Sequence, residues 1–379
     1  MKNHPTAAEF FAGIGLVRRA LEGADIDVVW ANDVDEVKCR LYSRNFGSTD
    51  LVSGDIRSIS GESMPSVDIA TASFPCTDLS LAGGRKGFAG RESGLFLEFA
   101  RIIAEMKTRK PRYLLIENVP GFATANRGGD IDLAIQLLND LGYAVDIFSV
   151  DAQHFVPQSR QRLFMAGLLG SQSANGLPPI SQVRPKYVQE VYRRNAQMKL
   201  AAHHFPDLPT EKRDLSEVVE RFSYRSEVWW SEERVSAFCE SLSKTNSERL
   251  MRLQNAPRLT WRTAFRRTRQ GVAIWEIRSD AISGCLRAVR GGSSKQAIVE
   301  AGRGNVRVRW MSANEYGMLQ GAAGHTHEGV SFAQAAYGYG DAVCVPAVQW
   351  ILTEHSIPFL ETGQVSVSSA VQLDLLHAG

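Results

Sequence analysis

Val67-Asp68-Ile69-Ala70-Thr71-Ala72-Ser73-Phe74-Pro75-Cys76 reads as a buried strand that stops at a proline and a cysteine. About forty residues on, Tyr113-Leu114-Leu115-Ile116-Glu117-Asn118-Val119 repeats the arrangement, a buried run ending in a carboxylic acid. Both motifs then sit at the carboxyl ends of strands, where open α/β sheets gather ligands and reacting groups. A cysteine and a carboxylic acid meeting at such an edge supply a nucleophile and a proton donor. That pair can attack an electron-poor ring and steady the charge that develops.

Outward from these two runs, strand and helix signals alternate through the first 170 residues. Ala7–Phe11 reads as a strand that closes on the turn Gly13-Ile14-Gly15 before a helix through Leu21. Asp27–Ala31 is a second strand, ending in acidic residues ahead of a helix through Tyr42, and Ala144–Val150 is a further one. Leu95–Met106 and Ile131–Leu141 carry the apolar spacing of amphipathic helices. This alternation predicts an α/β fold, a doubly wound and mostly parallel sheet with right-handed crossovers. Glycines at the first turn let a ligand approach the backbone, and the helix amino terminus there favours an anion. Asp33 ends the second strand, where a carboxylate can hold ribose hydroxyls, and Asp55 could accept from an adenine amino group. In that order the three placements point to an adenosine-bearing cofactor. Helix N-capping is the other use of either aspartate.

At 379 residues, with 44% hydrophobic and 22% charged, the chain is expected to form two globular domains. No apolar run approaches the roughly 18 residues that cross a membrane, and the strand pattern begins too early for a signal peptide. Five scattered cysteines without a Cys-x-x-Cys pair argue for a reducing interior and against structural zinc or a disulfide framework. The eight histidines form no ligand constellation, so no metal is expected. Charge is unevenly spread. Residues 171–310 hold 25 Lys+Arg against 14 Asp+Glu, whereas the whole chain is only +2. A basic module on an acidic body is the footprint of a nucleic-acid binder. Ser171–Pro179 reads as a linker. The expected division is residues 1–177 completed by 336–362, a basic 178–335 segment with its hinge, and a tail over 363–379. Within the basic segment Arg258, Arg262 and Arg266 recur every four residues. They would form one stripe if helical; the pattern loses meaning if extended.

Phe11-Ala12-Gly13-Ile14-Gly15, Phe74-Pro75-Cys76, Glu117-Asn118-Val119, Gln158-Ser159-Arg160-Gln161-Arg162 and Gly338-Tyr339-Gly340-Asp341-Ala342-Val343 follow one another in order. The series resembles that of the DNA (cytosine-5)-methyltransferases, over about residues 7–170 and 305–355. The resemblance implies S-adenosyl-L-methionine as cofactor, a methyltransferase fold of Rossmann type, and a smaller mixed target-recognition domain. It implies Cys76 as a thiolate that adds to carbon 6 of a flipped-out cytosine. Glu117 would bond the ring nitrogen and exocyclic amine, and Asn118 would fix the loop. Arg160 and Arg162, read as two apart on one strand face, would reach the base's oxygen and phosphate. Gln158 would be structural. The cofactor site would draw on Phe11, Gly13, Ile14, Gly15, Asp33, Val34, Asp55, Ile56, Pro75, Leu95, Asp341, Ala342 and Val343.

On the same resemblance, Asp78–Arg91 would close as a lid, its Ser80, Arg85, Lys86 and Arg91 touching DNA. Arg258, Arg262 and Arg266 would join them from the recognition domain. Double-stranded DNA is the implied partner of a monomer in a prokaryotic or phage cytoplasm, at the nucleoid, with a cognate restriction endonuclease as candidate companion. The chain departs from the usual pattern at Ser73 and Thr77 beside the cysteine, at Leu79, at Met318 and at Asp341. Two alternatives use the same motifs: methylation of tRNA, and a non-catalytic DNA-binding regulator on a decayed scaffold. The long basic segment favours DNA over the first. Cys76, Glu117 and Arg162, all intact, weigh against the second.

Overall fold

The structure is a computed structural model that describes residues 4–74, 94–173, 176–269, 271–288 and 295–363. Pro75, Cys76, Ser80, Arg85, Lys86 and Arg91, with the expected lid and tail, lie outside the described residues. The chain divides into two compact units. The first comprises Met1–Asp151, Gln161–Leu208 and Ala347–Gly379, and the second Ala152–Arg160 and Pro209–Pro346.

In the first unit β1 (Thr6–Phe10), β2 (Asp27–Asp33), β3 (Leu51–Ser53), β4 (Ile69–Ala72), β5 (Tyr113–Asn118), β6 (Tyr143–Asp151), β7 (Gln161–Leu169) and β8 (Leu200–Ala201) form one sheet. Its order is β3-β2-β1-β4-β5-β7-β6-β8. The five strands from β3 to β5 run parallel, and β7 lies antiparallel between β5 and β6. This is the doubly wound sheet the alternation predicts. Chain order reverses between β1 and β4, so the carboxyl ends of those strands flank the switch point where such sheets bind ligands.

Helices α1 (Leu16–Glu22), α2 (Glu36–Phe46), α3 (Gly94–Glu105), α4 (Gly129–Asp140) and α5 (Lys186–Arg194) belong to this unit, together with helical residues 347–362. Along α3, Phe96, Phe99, Ile102 and Ile103 form an apolar stripe buried with Phe10, Leu114 and Ile116 of the sheet. Val188, Val191 and Tyr192 of α5 join the same core. For that reason the chain stays with the first unit through Leu208, some thirty residues past the border at 178 that composition suggested. Asp146 on β6 is fully buried and accepts hydrogen bonds from Arg184 Nη2 (2.9 and 3.1 Å), the Tyr192 hydroxyl (2.6 Å) and the His203 amide (2.6 Å). His355 Nε2 lies 3.1 Å from its Oδ2, and His355 Nδ1 meets the Tyr113 hydroxyl at 2.9 Å. Burial alone would raise the Asp146 pKa. The Arg184 guanidinium and the His355 hydrogen bond outweigh it and hold the carboxyl well below the usual range.

The second unit contains α6 (Glu232–Glu240), α7 (Lys244–Gln254), β9 (Thr260–Arg269), β10 (Val272–Ile277), β11 (Gln296–Gly302), β12 (Asn305–Trp310), α8 (Ala313–Leu319) and α9 (Phe332–Asp341). Its sheet is antiparallel, in the order β10-β9-β11-β12. The helical reading of Arg258, Arg262 and Arg266 does not hold. Thr260–Arg269 is extended and Arg258 precedes it. A spacing of four is even, so Arg262 and Arg266 still share a sheet face. No helix among the described residues is long and apolar enough to cross a membrane.

Candidate active site

At the carboxyl end of β5, Glu117 is 9% exposed and pairs with Arg162 of neighbouring β7, whose Nε lies 2.9 Å from Oε1. The antiparallel pairing of β5 with β7 sets Glu117 opposite Phe164 and Asn118 opposite Leu163, which brings Arg162 to the same edge. Asn118 accepts from the Val119 amide at 2.8 Å and donates through Nδ2 to the Phe74 carbonyl at 3.4 Å. Its expected loop-fixing role thus extends across to the segment after β4. Phe74 is itself anchored, 3% exposed, with its ring against Phe96 and Phe122. That anchor stands two positions before Cys76 in the sequence.

Beyond β1 the chain turns through Phe11, which has φ 56°. The Gly13 amide donates to Asp33 Oδ2 at 2.8 Å, and the Asp35 amide donates to Oδ1 at 2.8 Å. Asp33 therefore ties the glycine turn to the start of α2. Gly15 has φ 84°, and a Cβ there would stand 2.4 Å from Phe46 Cε2, so only glycine fits. Among the described residues, a Cβ on Gly13 would find nothing nearer than the Phe11 carbonyl oxygen at 4.0 Å. Ile14 is buried and Val34 is 67% exposed. Phe11 and Leu95 are half-buried against the core cluster that contains Ile56. Asp55 caps the 3₁₀ turn Ile56–Ser58 by accepting from the Arg57 amide at 2.9 Å, and its other oxygen pairs with Arg57 Nη1 at 2.9 Å. The capping use foreseen for an aspartate is the one seen here.

Two residues at this edge carried no sequence signal. Asn32, 1% exposed, donates to the carbonyls of Val52 (2.8 Å) and Gly54 (2.9 Å) and so places the turn that carries Asp55. Glu9, 1% exposed, accepts from the Arg18 amide at 3.2 Å through Oε1. Burial pushes its carboxyl up to about 8.

Arg160 does not share a strand face with Arg162. It precedes β7, belongs to the second unit and is 2% exposed. Its Nη1 donates to the Leu286 carbonyl (2.7 Å), and its Nη2 donates to those of Gly340 (3.1 Å) and Ala342 (2.6 Å). Gln158 is likewise buried, bonded to the Leu286 amide and the Leu319 carbonyl, which is the structural role expected of it. Arg160, with Gln320 Nε2 donating to the Ala342 carbonyl at 3.2 Å, holds the segment of Asp341, Ala342 and Val343 in the second unit. Asp341 ends α9 and is exposed, while Val343 is buried. A Cβ on Gly340 would lie 2.3 Å from the Arg287 carbonyl carbon, so glycine is required there for backbone contact. Among the described residues no group of His, Cys, Asp and Glu could hold a metal ion.

A family model described as C-5 cytosine-specific DNA methylase matches residues 6–356. The Type II methyltransferase M.HhaI of Haemophilus parahaemolyticus is 34% identical over 158 residues, 41% of this chain and 47% of that protein. M.BanI of Aneurinibacillus aneurinilyticus is 34% identical over 170 residues, 43% of this chain and 38% of that protein. The match thus spans less than half the length of either relative. Among solved structures, the Entamoeba histolytica methyltransferase EhMeth aligns at a TM-score of 0.62 and 15% identity, covering 93% of this chain and 98% of that one. Identity that low carries the fold alone.

Proposed function

The chain belongs to the family of C-5 cytosine-specific DNA methylases, and from that premise we propose that it methylates carbon 5 of a flipped-out cytosine in a specific duplex DNA sequence. The cofactor in this reading is S-adenosyl-L-methionine, and the reaction runs through a transient covalent adduct of Cys76. The observation that carries it is the joined edge of β4 and β5. Glu117 is fixed by Arg162 there, and Asn118 reaches the Phe74 carbonyl just ahead of Cys76.

The residues around Gly13 fit an adenosyl group. Among the described residues a Cβ on Gly13 would meet nothing nearer than 4.0 Å, and in this reading Phe11, Val34, Ile56 and Leu95 supply apolar contacts. Asp33 positions the turn, and Gly13, Ile14 and Gly15 shape it, while Pro75 and Asp341–Val343 complete the set implied by the motif series. When bound, the cofactor supplies an electrophilic methyl group on a sulfonium sulfur. Cys76 Sγ, as thiolate, adds to carbon 6 of the cytosine ring, and its electron pair makes carbon 5 enamine-like. Glu117 hydrogen-bonds the ring nitrogen and stabilises the charge that moves onto it. Once carbon 5 carries the methyl group, its proton passes to solvent water and the carbon–sulfur bond to Cys76 breaks, releasing the thiolate. Arg162 keeps Glu117 in place throughout. Arg160, occupied by three carbonyls, acts as a positioning residue for the glycine-rich segment. The names of the relatives support a restriction-modification setting, beside a cognate endonuclease, in a prokaryotic or phage cytoplasm.

Duplex DNA carrying 5-fluorocytosine tests the reading, because fluorine at carbon 5 blocks release and traps the adduct. The protein with cofactor is expected to form a denaturation-stable complex, and Cys76→Ala to form none while still binding DNA. Methyl transfer retained by Cys76→Ala would remove the covalent mechanism.

A further inference from the structure

In the second unit three tryptophan rings close a triangle. Trp230 lies 5.5 Å from Trp275 and 5.1 Å from Trp310, and Trp275 lies 5.7 Å from Trp310, measured between centroids. Three cations stand against these rings. Arg234, in the first turn of α6, places its guanidinium carbon 4.0 Å from the Trp230 ring centre and 5.3 Å from that of Trp310. Lys295, just before β11, sets Nζ 4.6 Å from Trp310 and 4.3 Å from Phe332. Arg266 of β9, directly across from Trp275 of β10, sits 5.6 Å from its ring.

Strand register explains the grouping. Arg266 is paired with Trp275, and Ala297 with both Ala264 and Trp310, so these side chains lie on one face near one end of the sheet. The same face also bears Ala264, Ile277, Ala297, Val299 and Val308 of the unit's apolar core, with Arg262 opposite Val299. Among the described residues none of the three cations forms a side-chain hydrogen bond or has a carboxylate within ion-pair distance. The Trp230 indole nitrogen is also buried with no acceptor. Like charges crowd one another here: Arg266 disfavours the charge on Arg234, and Arg234 that on Lys295, each on top of desolvation. Flexible side chains would separate if nothing opposed the repulsion. The rings hold them, through cation–π attraction, on a rigid base.

Resting on the proposed function, we infer that Arg234, Arg266 and Lys295, mounted on Trp230, Trp275 and Trp310, form the surface of the second unit that grips a run of phosphodiesters in the DNA backbone. A guanidinium held over a ring face keeps its N–H edges directed away from the ring, available to bridge phosphate oxygens. A lysine ammonium contributes a point charge. Neither arrangement needs a base edge, so the contact is indifferent to sequence and fixes where the duplex lies.

The test is duplex binding by the full chain, followed by fluorescence anisotropy on mixed-sequence DNA over a range of salt. Replacement of the three by glutamine should flatten the slope of log K against log salt by about 0.9 per cation, whatever the sequence. The charge-keeping set R234K, R266K and K295R should restore most of it. On the unsubstituted protein, saturating duplex should protect Lys295 from acetylation, read by mass spectrometry. An unchanged slope in a folded triple variant, or Lys295 acetylated equally in the complex, overturns the assignment. The 5-fluorocytosine adduct reports the activity separately. Adduct formation with an unaltered slope sinks this surface alone. Absence of adduct with Lys295 protected sinks the activity and leaves the surface standing.

Discussion

Glu9 sits on β1 two positions before Phe11, with one carboxylate oxygen on the Arg18 amide and Oε2 without a partner among the described residues. Its folded pKa, raised to about 8 by burial, lies above the usual value of 4.5. The stability it lends is therefore complete below about 4.5 and lost as pH rises through about 8. Glu9→Gln keeps the shape and removes the titration. Urea midpoints of the parent should fall between pH 5 and 9 while those of the variant stay level, the two differing by on the order of a few kcal/mol at the alkaline end. Parallel curves would show that the carboxylate is solvated. Nothing in the local sequence marks Glu9, because an acid between apolar neighbours reads like any strand position until the layers over it are known. Glu117 and Asn118 are legible for the opposite reason: they end a run of six buried strand residues, so chain position alone puts them at the sheet's edge.

Secondary elements were legible where a single period governed them. The strands β1, β2, β4, β5 and β6 and the helices α1 to α4 fall where alternation places them, since parallel strands covered on both faces give unbroken apolar runs. The arginine series was not legible. A repeat of four suits a helix roughly and a strand face perfectly, and only pairing with β10 and β11 makes residues 260–269 extended. Arg160 and Arg162 look alike in the sequence, yet one precedes β7 and the other lies on it. Arg160→Met should destabilise the protein by about 3 kcal/mol or more, since charge-assisted hydrogen bonds to three buried carbonyls are lost. Urea unfolding monitored by tryptophan emission is suitable, because five of the seven tryptophans lie in residues 209–346. A variant with the parent's midpoint but no turnover would instead place Arg160 at the base.

Across the whole molecule, the buried network around Asp146 gathers Tyr113, Arg184, Tyr192, His203 and His355 from distant parts of the chain. Asp146→Asn leaves the Arg184 guanidinium buried without its counter-charge and should cost about 3–5 kcal/mol. Adding Arg184→Met should recover much of that loss. Calorimetric unfolding of the two variants decides it, and a single variant within about 1 kcal/mol of the parent would mean that water reaches the site. The same network and the α5 core keep residues 178–208 with the large sheet, a border that charge and composition misplaced because both are blind to contacts. The sequence by itself determined the fold class and the family, since periodicity and motif order are properties of the chain read in one dimension. Only the tertiary structure decided which arginine pairs with Glu117, which aspartate caps a turn, and which cations share an aromatic base. Those outcomes depend on strand register and burial, which arise when segments far apart in the chain meet.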